Sequence, residues 1–599
     1  MLIAADHLDC GAARALLAWM RKFHRHKLRL ALSFLAILIA ATGGVFAQPV
    51  AVQITAPTGG AALSGTVTVS VSALDTGNGV AGVQLRIDTV PYGVGTATSP
   101  YTFSVDTTQF ANGVHSLQAV AWNNADQGVS SSPVSVTFSN PNPGNPAVMG
   151  MWSAVVSLPV VSVHLALLPD ARVFMVGAFA DGNLAYDWSY RLNTFDQVDP
   201  PWNAFCNGMD QTADGRIMVV GGHQGGHIGL PNAGIFDPAS ELWTVLPNMA
   251  YPRWYPTLTA LPSGQLIVTS GEMNGPGDYC QIPEIYDPPT NSWIELNNAA
   301  FPFSYYYPHA LIGPGGNLLI PTSTEDPIVS QVLDLSTLTW TPMGGTVADD
   351  GYSTVQFLPG EILKTGTSHN TDDPTGPSAS TAYVLNRQQP SATWQQVAPM
   401  NYPRCYHNMT VLPNGNVLVT SGGATTDWTD LADGVLPAEI WVPSAQTFYT
   451  KASMSVPRLY HSNALLLPDG RVLVAGGGSA AGNNQPEDQY NAQLFSPPYL
   501  FQGSRPTIAS APSQLSYGHN FTVQTPDALR IAMVSLIRFG ACTHGFNTGQ
   551  HFIPLSFSIG NGSLTVTAPG NANLAPPGNY MLFLVGTNNV PSFAAIVHF

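Results

Sequence analysis

Tyrosine and histidine stand side by side at Tyr460 and His461, in PRLYHSNALLLPDGRVLVAGGG, at the head of an apolar run that ends in three glycines. A near copy, PRCYHNMTVLPNGNVLVTSGG, begins at Pro403 and carries Tyr406 and His407. Two further segments put a departure from plain apolar packing in the same place: NAFCNGMD carries Cys206 and PRWYPTL carries Tyr255. Neighbours on a regular strand face opposite ways, so Tyr460 and His461 can reach one point only from a strand entrance or a bend. Imidazole nitrogens with phenolate oxygens suit a tetragonal Cu(II) site, whereas zinc and iron more often recruit cysteine or carboxylate. One more imidazole would complete such a set, and SLIRFGACTHGFNTGQ offers His544.

These residues are far apart in sequence, so a repeating architecture must gather them. Between about residues 150 and 500 one pattern occurs seven times, from LALLPDARVFMVG to ALLLPDGRVLVAGGG: an apolar run, a turn, a second apolar run, and often a glycine pair. The turns fall at about residues 170, 214, 263, 315, 360, 414 and 469. Between copies sits an aromatic, often Asp-Pro, and then a tryptophan, as in IFDPASELW and IYDPPTNSW. A period near 50 matches the kelch class of blade. Four-stranded blades converge on a central channel, and glycine-rich strand ends let backbones crowd there. The expectation is an all-β chain with a seven-bladed kelch-type propeller over residues 151–503, whose closure brings Cys206, Tyr255, Tyr460 and His461 to one axial end.

Residues 50–140 alternate in runs such as VTVSVSALD and HSLQAVAW, which reads as an immunoglobulin-like sandwich without the cysteine pair of antibody domains. Residues 141–150, rich in proline, read as a stiff linker. Residues 504–599 alternate again and read as a second β-sandwich. Among 599 residues only 9% are charged, against 57 glycines and 50 prolines, a balance that favours short strands and turns. The formal charge of −16 leaves no basic surface for nucleic acid. Residues 1–47 read as a secretory signal, with Met20 as an alternative start and cleavage after Ala47, so the mature chain is expected outside the cell or at its envelope. The competing reading is an uncleaved anchor, but the apolar stretch is short of the roughly 20 residues that a span requires. Of the cysteines Cys10, Cys206, Cys280, Cys405 and Cys542, cleavage removes the first, and four are too few for a disulfide framework. Cys405 and Cys542 are open between free thiols and a bridge.

Taken in order, FCNGMDQTADGR, RWYPTLTALPSGQ, PRLYHSNALLLPDGRVLVAGGG and SLIRFGACTHGFNTGQHFIPL resemble the copper radical oxidases, the galactose oxidase and glyoxal oxidase family. The resemblance covers roughly residues 150–599 and implies a C-terminal sandwich of the galactose-oxidase-like early-set type. It implies one copper ion held by Tyr255, Tyr460, His461 and His544, with Tyr255 joined to Cys206 through a thioether as a radical cofactor. Tyr460 is then the base, the Cys206–Tyr255 unit takes hydrogen from carbon, and dioxygen leaves as hydrogen peroxide. Counting without gaps from Tyr255, Met273 takes the place of the tryptophan that covers the cross-linked ring in galactose oxidases. That departure, with RWYPT and PRLYHS, points to the glyoxal oxidase branch and to small aldehydes or primary alcohols as preferred substrates. The resemblance implies a small-molecule alcohol, aldehyde or carbohydrate and dioxygen as partners, and the chain is expected to be a monomer.

The chemistry accounts for such a set. Oxidising an alcohol or hydrated aldehyde removes two electrons, one copper accepts one, and a phenol made electron-rich by sulfur accepts the other. Singly, each residue has a plainer reading: Cys206 as a small buried hydrophobe, Tyr255 as blade packing. His407 is open between pocket wall and packing, because the metal has room for one Tyr-His pair. The alternative for the whole chain is a non-catalytic kelch scaffold that binds glycans or mediates adhesion. Such a scaffold has no need of all five residues.

Overall fold

Each apolar-turn-apolar unit folds as an antiparallel hairpin because its turn holds one residue in the left-handed region. In six units this residue is glycine, from Gly215 to Gly470, with φ between 78° and 84°. The first unit has Ala171 at φ 66°, where a Cβ costs about 1 kcal/mol. The computed structural model describes residues 50–599 except 302–305, 326, 346–350, 368–375, 389–391 and 480–484. The signal segment expected over residues 1–47, with Cys10 and Met20, lies outside the described residues.

The seven units give seven antiparallel sheets of one plan, with strands hydrogen-bonded in sequence order. The first contains His164–Leu167, Val173–Val176, Ala185–Ser189 and Thr194–Gln197; the second contains Gly208–Gln211, Ile217–Val220, Ala233–Asp237 and Leu242–Val245. The seventh has Ser462–Leu466, Val472–Gly476 and Asn491–Ser496, and its outer strand comes from the other end of the unit series, at Met151–Trp152. The first two strands of these sheets are buried, while outer strands shed side chains into solvent, as at Leu242 and Val245. In four of the sheets a tryptophan docks the sheet on the one before it. The indole Nε1 atoms of Trp243, Trp293, Trp340 and Trp152 donate to the carbonyls of Val198, Pro247, Ala299 and Ala452 at 2.8–3.0 Å. The inner strand of the seventh sheet also touches that of the first.

The flanking segments are β-sandwiches. Ahead of the sheets, the strands Ala51–Ala56, Thr66–Leu74 and Tyr101–Asp106 face a larger sheet built on Val80–Ile87 and Gly113–Asn123. Val69, Leu85, Val105 and Leu117 fill the space between them. The segment expected as a linker contains a one-turn helix, Pro146–Met149, packed against Pro498–Phe501. Among the described residues no helix is long and apolar enough to cross a membrane. The C-terminal sandwich pairs Asn520–Gln524, Ser563–Thr567 and Phe557–Ile559 in one sheet and Phe552–Leu555, Ile531–Arg538, Asn579–Gly586 and Ala595–His598 in the other. It is pinned to the second sheet by a buried ion pair, Arg538 Nη1 to Asp210 Oδ1 at 2.7 Å. The choice left open for Cys405 and Cys542 resolves against a bridge: both are buried and they form no disulfide with each other.

Burial also makes the fold acid-sensitive. Desolvation pushes His309 and His551 down to about 3, with Lys364 and Arg538 respectively adding repulsion. Unfolded histidine takes up its proton below about 6.5, whereas these two stay neutral in the folded chain, so the unfolded state binds more protons between those limits. Stability is present above pH 6.5 and is lost as pH falls toward 3, at about 1.4 kcal/mol per histidine per unit. A urea midpoint measured at pH 7 and pH 4.5 is expected to fall steeply; equal midpoints would contradict neutral, buried imidazoles.

Candidate metal centre

The Pro-Arg pairs hold the strand entrances. Arg253 donates to the Ser270 carbonyl at 2.6 Å and pairs with Glu284 at 2.8 Å in the third sheet. Arg404 repeats this in the sixth sheet with the Ser421 carbonyl at 2.6 Å and Glu439 at 3.1 Å. Arg458 does so in the seventh with the carbonyls of Gly476 at 2.9 Å and Asn491 at 2.8 Å. Just beyond each arginine the backbone flips into the left-handed region, at Tyr255 (φ 64°), Tyr406 (φ 60°) and His461 (φ 67°). In the third and sixth sheets the flip falls on the tyrosine, but in the seventh it falls on the histidine after it. That offset turns Tyr460 and His461 to one side, with ring centroids 3.9 Å apart, as a bend before the strand requires. Cys206 (φ 54°) and Tyr307 (φ 41°) flip ahead of the inner strands of the second and fourth sheets. Left-handed non-glycine residues cost of order 1–3 kcal/mol each and gather where function over-determines the backbone.

His544 arrives from outside the repeats. It sits at the tip of a hairpin, Ala541–Thr543 with Phe546–Asn547, at φ 47°. The hairpin adds to the inner edge of the first sheet, with Thr543, Cys542 and Ala541 opposite His164, Leu165 and Ala166.

The five residues converge. Cys206 Sγ lies 3.6 Å from His544 Nε2 and 3.9 Å from His461 Nε2. Tyr255 and Tyr460 share a hydrogen bond of 2.5 Å between their hydroxyls. The Tyr255 amide donates to the Cys206 carbonyl at 2.9 Å, and the Cys206 thiol interacts with the Tyr255 phenol. Ring centroids of Tyr255 and Tyr460 are 4.9 and 5.2 Å from that of His544. Cys206, Tyr255, His461 and His544 are buried, and Tyr460, half-buried, is the member nearest solvent. Burial raises the Cys206 thiol and both phenols, pushes His461 down to about 3, and holds His544 well below its ordinary value.

Tautomers follow from the outer partners. His461 Nδ1 donates to the Gly478 carbonyl at 2.7 Å. His544 Nδ1 lies 2.6 Å from Thr543 Oγ1, which itself donates to the Val163 carbonyl and therefore accepts from the ring. Both lone pairs are thus on Nε2, turned to the common point, as metal-binding imidazoles are held. Two neutral imidazoles and two phenols form a nitrogen-and-oxygen donor set that suits Cu(II). A cation there would favour phenolate and offset the burial that now keeps the phenols protonated.

Other neighbours carried no clear sequence signal. The Tyr460 hydroxyl donates to Glu325, which is 8% exposed. Glu325 lies five residues past the second strand of its unit, against three for Glu272 in the third, so no shared spacing marks it. Tyr306 and Tyr307 lie 4.5 and 5.0 Å from the Tyr255 ring, and Trp254 meets it edge-on at 4.6 Å. Met273 is half-buried, with its backbone paired to Gly229 and Asp278. The second Tyr-His copy divides its roles. Tyr406 packs 5.4 Å from Tyr460 and bonds the Thr426 carbonyl, whereas His407 sits within its strand and bonds Thr365 Oγ1 at 2.8 Å.

Comparison with known proteins agrees with this geometry. The family profiles that match are Bacterial Ig domain over residues 51–119, Glyoxal oxidase N-terminus over 360–499, and Galactose oxidase-like, Early set domain over 505–599. A galactose oxidase of Gibberella zeae is 27% identical over 502 residues, covering 77% of this chain and 72% of its own length. An aldehyde oxidase of Vitis pseudoreticulata is 28% identical over 441 residues, covering 65% of this chain and 81% of its own. A solved fungal alcohol oxidase, in complex with copper, superposes with a TM-score of 0.67 at 28% identity, covering 75% of this chain and 99% of that one. By these matches the chain is similar to galactose oxidases and glyoxal oxidases, the glyoxal oxidase profile covering Tyr460 and His461 and the early-set profile covering His544.

Proposed function

We propose that this protein is an exported mononuclear copper radical oxidase that converts primary alcohols or aldehydes to aldehydes or carboxylic acids, reducing dioxygen to hydrogen peroxide. The seven sheets are read as blades of a closed propeller over residues 151–503, between sandwiches at 50–140 and 504–599. The observation that carries the proposal is the convergence of Cys206, Tyr255, Tyr460, His461 and His544, drawn from three sheets and a C-terminal hairpin, on one point. Bound copper would supply one oxidising equivalent and a Lewis-acid position for the substrate oxygen.

The chain's own residues do the rest. His461 and His544 would hold the ion through Nε2, and Tyr255 and Tyr460 through their oxygens. A thioether from Cys206 feeds electron density into the Tyr255 ring, which serves as the second redox centre. Tyr460 Oη takes the substrate proton; Glu325 and Tyr255 Oη, both hydrogen-bonded to it, are the groups to which that proton can move. Trp254, Tyr306 and Tyr307, with Met273 as a proposed further cover, keep water from the Tyr255 ring. Small aldehydes and primary alcohols are the favoured substrates.

The test is a peroxide-coupled screen of sugars, primary alcohols and small aldehydes on copper-loaded, oxidised protein. Peroxide release with primary alcohols or aldehydes is expected. Silence across the panel, together with no visible radical absorption, leaves only a non-catalytic scaffold.

A further inference from the structure

Far from the converging residues in sequence, a second feature stands where the two sandwiches meet. A cleft of about 540 Å³ lies between Arg86 and Thr89 of the N-terminal sandwich and residues 504–511 and 593–595 of the C-terminal one. Two guanidinium groups flank Phe593, that of Arg86 at 4.9 Å from the ring centre and that of Arg505 at 4.4 Å. Stacking on an aromatic ring fixes the plane of a guanidinium and leaves its edge N–H groups to donate.

Those donors are not used up. Arg505 is 8% exposed, and it gives Nη1 to the Asp469 carbonyl at 2.8 Å, while Nε and Nη2 have no hydrogen-bond partner. Arg86 Nε likewise has none. A buried charged donor left unpaired is costly, and here the unpaired atoms belong to two guanidiniums that line one cleft, so a ligand anion there would find donors to pair with.

The local charge points the same way. Arg86, Arg191, Arg471 and Arg505 are close enough to repel one another or share the field of Asp469. Asp469 is itself bonded to Arg471 at 2.7 Å. Four cations around one carboxylate is a local excess in a chain whose acidic residues outnumber Lys and Arg 36 to 20. Burial and the like charges lower Arg86, and burial lowers Arg505 to about 10, so an anion would relieve both.

We propose that this junction binds an acidic saccharide, whose carboxylate is held by Arg86 and Arg505. A bare oxyanion needs far less room than the cleft provides; its volume is that of small-molecule sites, which favour domain interfaces. The hydroxyls of Thr89, Thr507 and Ser510 around the rim match the hydroxyls of a sugar ring. Planar carboxylate is the partner that paired guanidinium edges recognise. The N-terminal sandwich thereby supplies half of a site.

Isothermal titration calorimetry on the full chain tests this with digalacturonate, a neutral digalactoside and sodium sulfate. Saturable binding of digalacturonate, at least about tenfold weaker in Arg86→Ala and blocked in Thr507→Trp at the exposed rim, is expected, with no heat from the neutral sugar. Copper content and peroxide release stay at the parent level in both variants. Absence of digalacturonate binding, or binding indifferent to both substitutions, overturns the proposal. Sulfate bound as tightly as digalacturonate overturns the saccharide assignment and leaves an inorganic anion site.

Discussion

Replacing Cys206 with glycine is expected to leave the protein folded and copper-bound but to abolish its radical absorption in the visible and near-infrared, with turnover down by at least about 10³-fold, the scale of losing a group that takes part in chemistry. Glycine is the informative substitute because Cys206 has φ 54°, a conformation glycine adopts without a Cβ penalty. The thiol is fully buried and 3.6 Å from His544 Nε2, so its removal leaves the four nitrogen and oxygen donors in place. Electron paramagnetic resonance should still report Cu(II), while intact mass of the parent protein should be two hydrogen atoms below that of the unlinked chain. Radical bands that survive in Cys206→Gly would remove the thioether from the account.

The second large effect is at His544. Changing it to alanine should weaken copper binding by at least about a hundredfold, given that disturbing even the partners of a metal ligand costs 10 to 100-fold. His407→Ala should leave copper loading unchanged, although both imidazoles are buried and strongly desolvated. The difference is direction. His544 presents Nε2 to the Cys206–His461 cluster, whereas His407 spends Nε2 on Thr365 within its own neighbourhood. Competitive chelation monitored by the Cu(II) spectrum reads both variants, and equal loading of His544→Ala and parent would strike that ligand from the set.

Much of this was legible in the sequence because the repeat marks itself. The seven turns share one left-handed residue, and four of the spaced tryptophans reach a carbonyl of the preceding sheet. Cys206, Tyr255, Tyr460 and His461 could be singled out because each departs from a pattern that its sister copies obey. His544 was visible for the opposite reason, since no repeat asks for it. Glu325, Tyr306 and Tyr307 were not legible. Their unit, YYYPHALIGPGGNLLIPTSTED, lacks the Pro-Arg mark and the closing glycines, and what brings Glu325 onto Tyr460 is the path of a loop. The partly unpaired guanidiniums of Arg86 and Arg505 were equally hidden, because residues so distant in sequence meet only once both sandwiches are docked. The one-residue offset between the copies at Tyr406 and His461 is a matter of backbone angle, which near-identical strings do not display.

The hairpin that carries His544 onto the first sheet has a consequence for biosynthesis. A ribosome has made every residue of the seven sheets before that imidazole is even translated. Chains that terminate early, or are clipped by proteases upstream of the hairpin, therefore lack the proposed donor His544 however well their remaining sheets have folded. On the proposed ligand set, retention of copper would report that translation ran to the final sandwich, and a metal-affinity step would separate intact molecules from shortened ones.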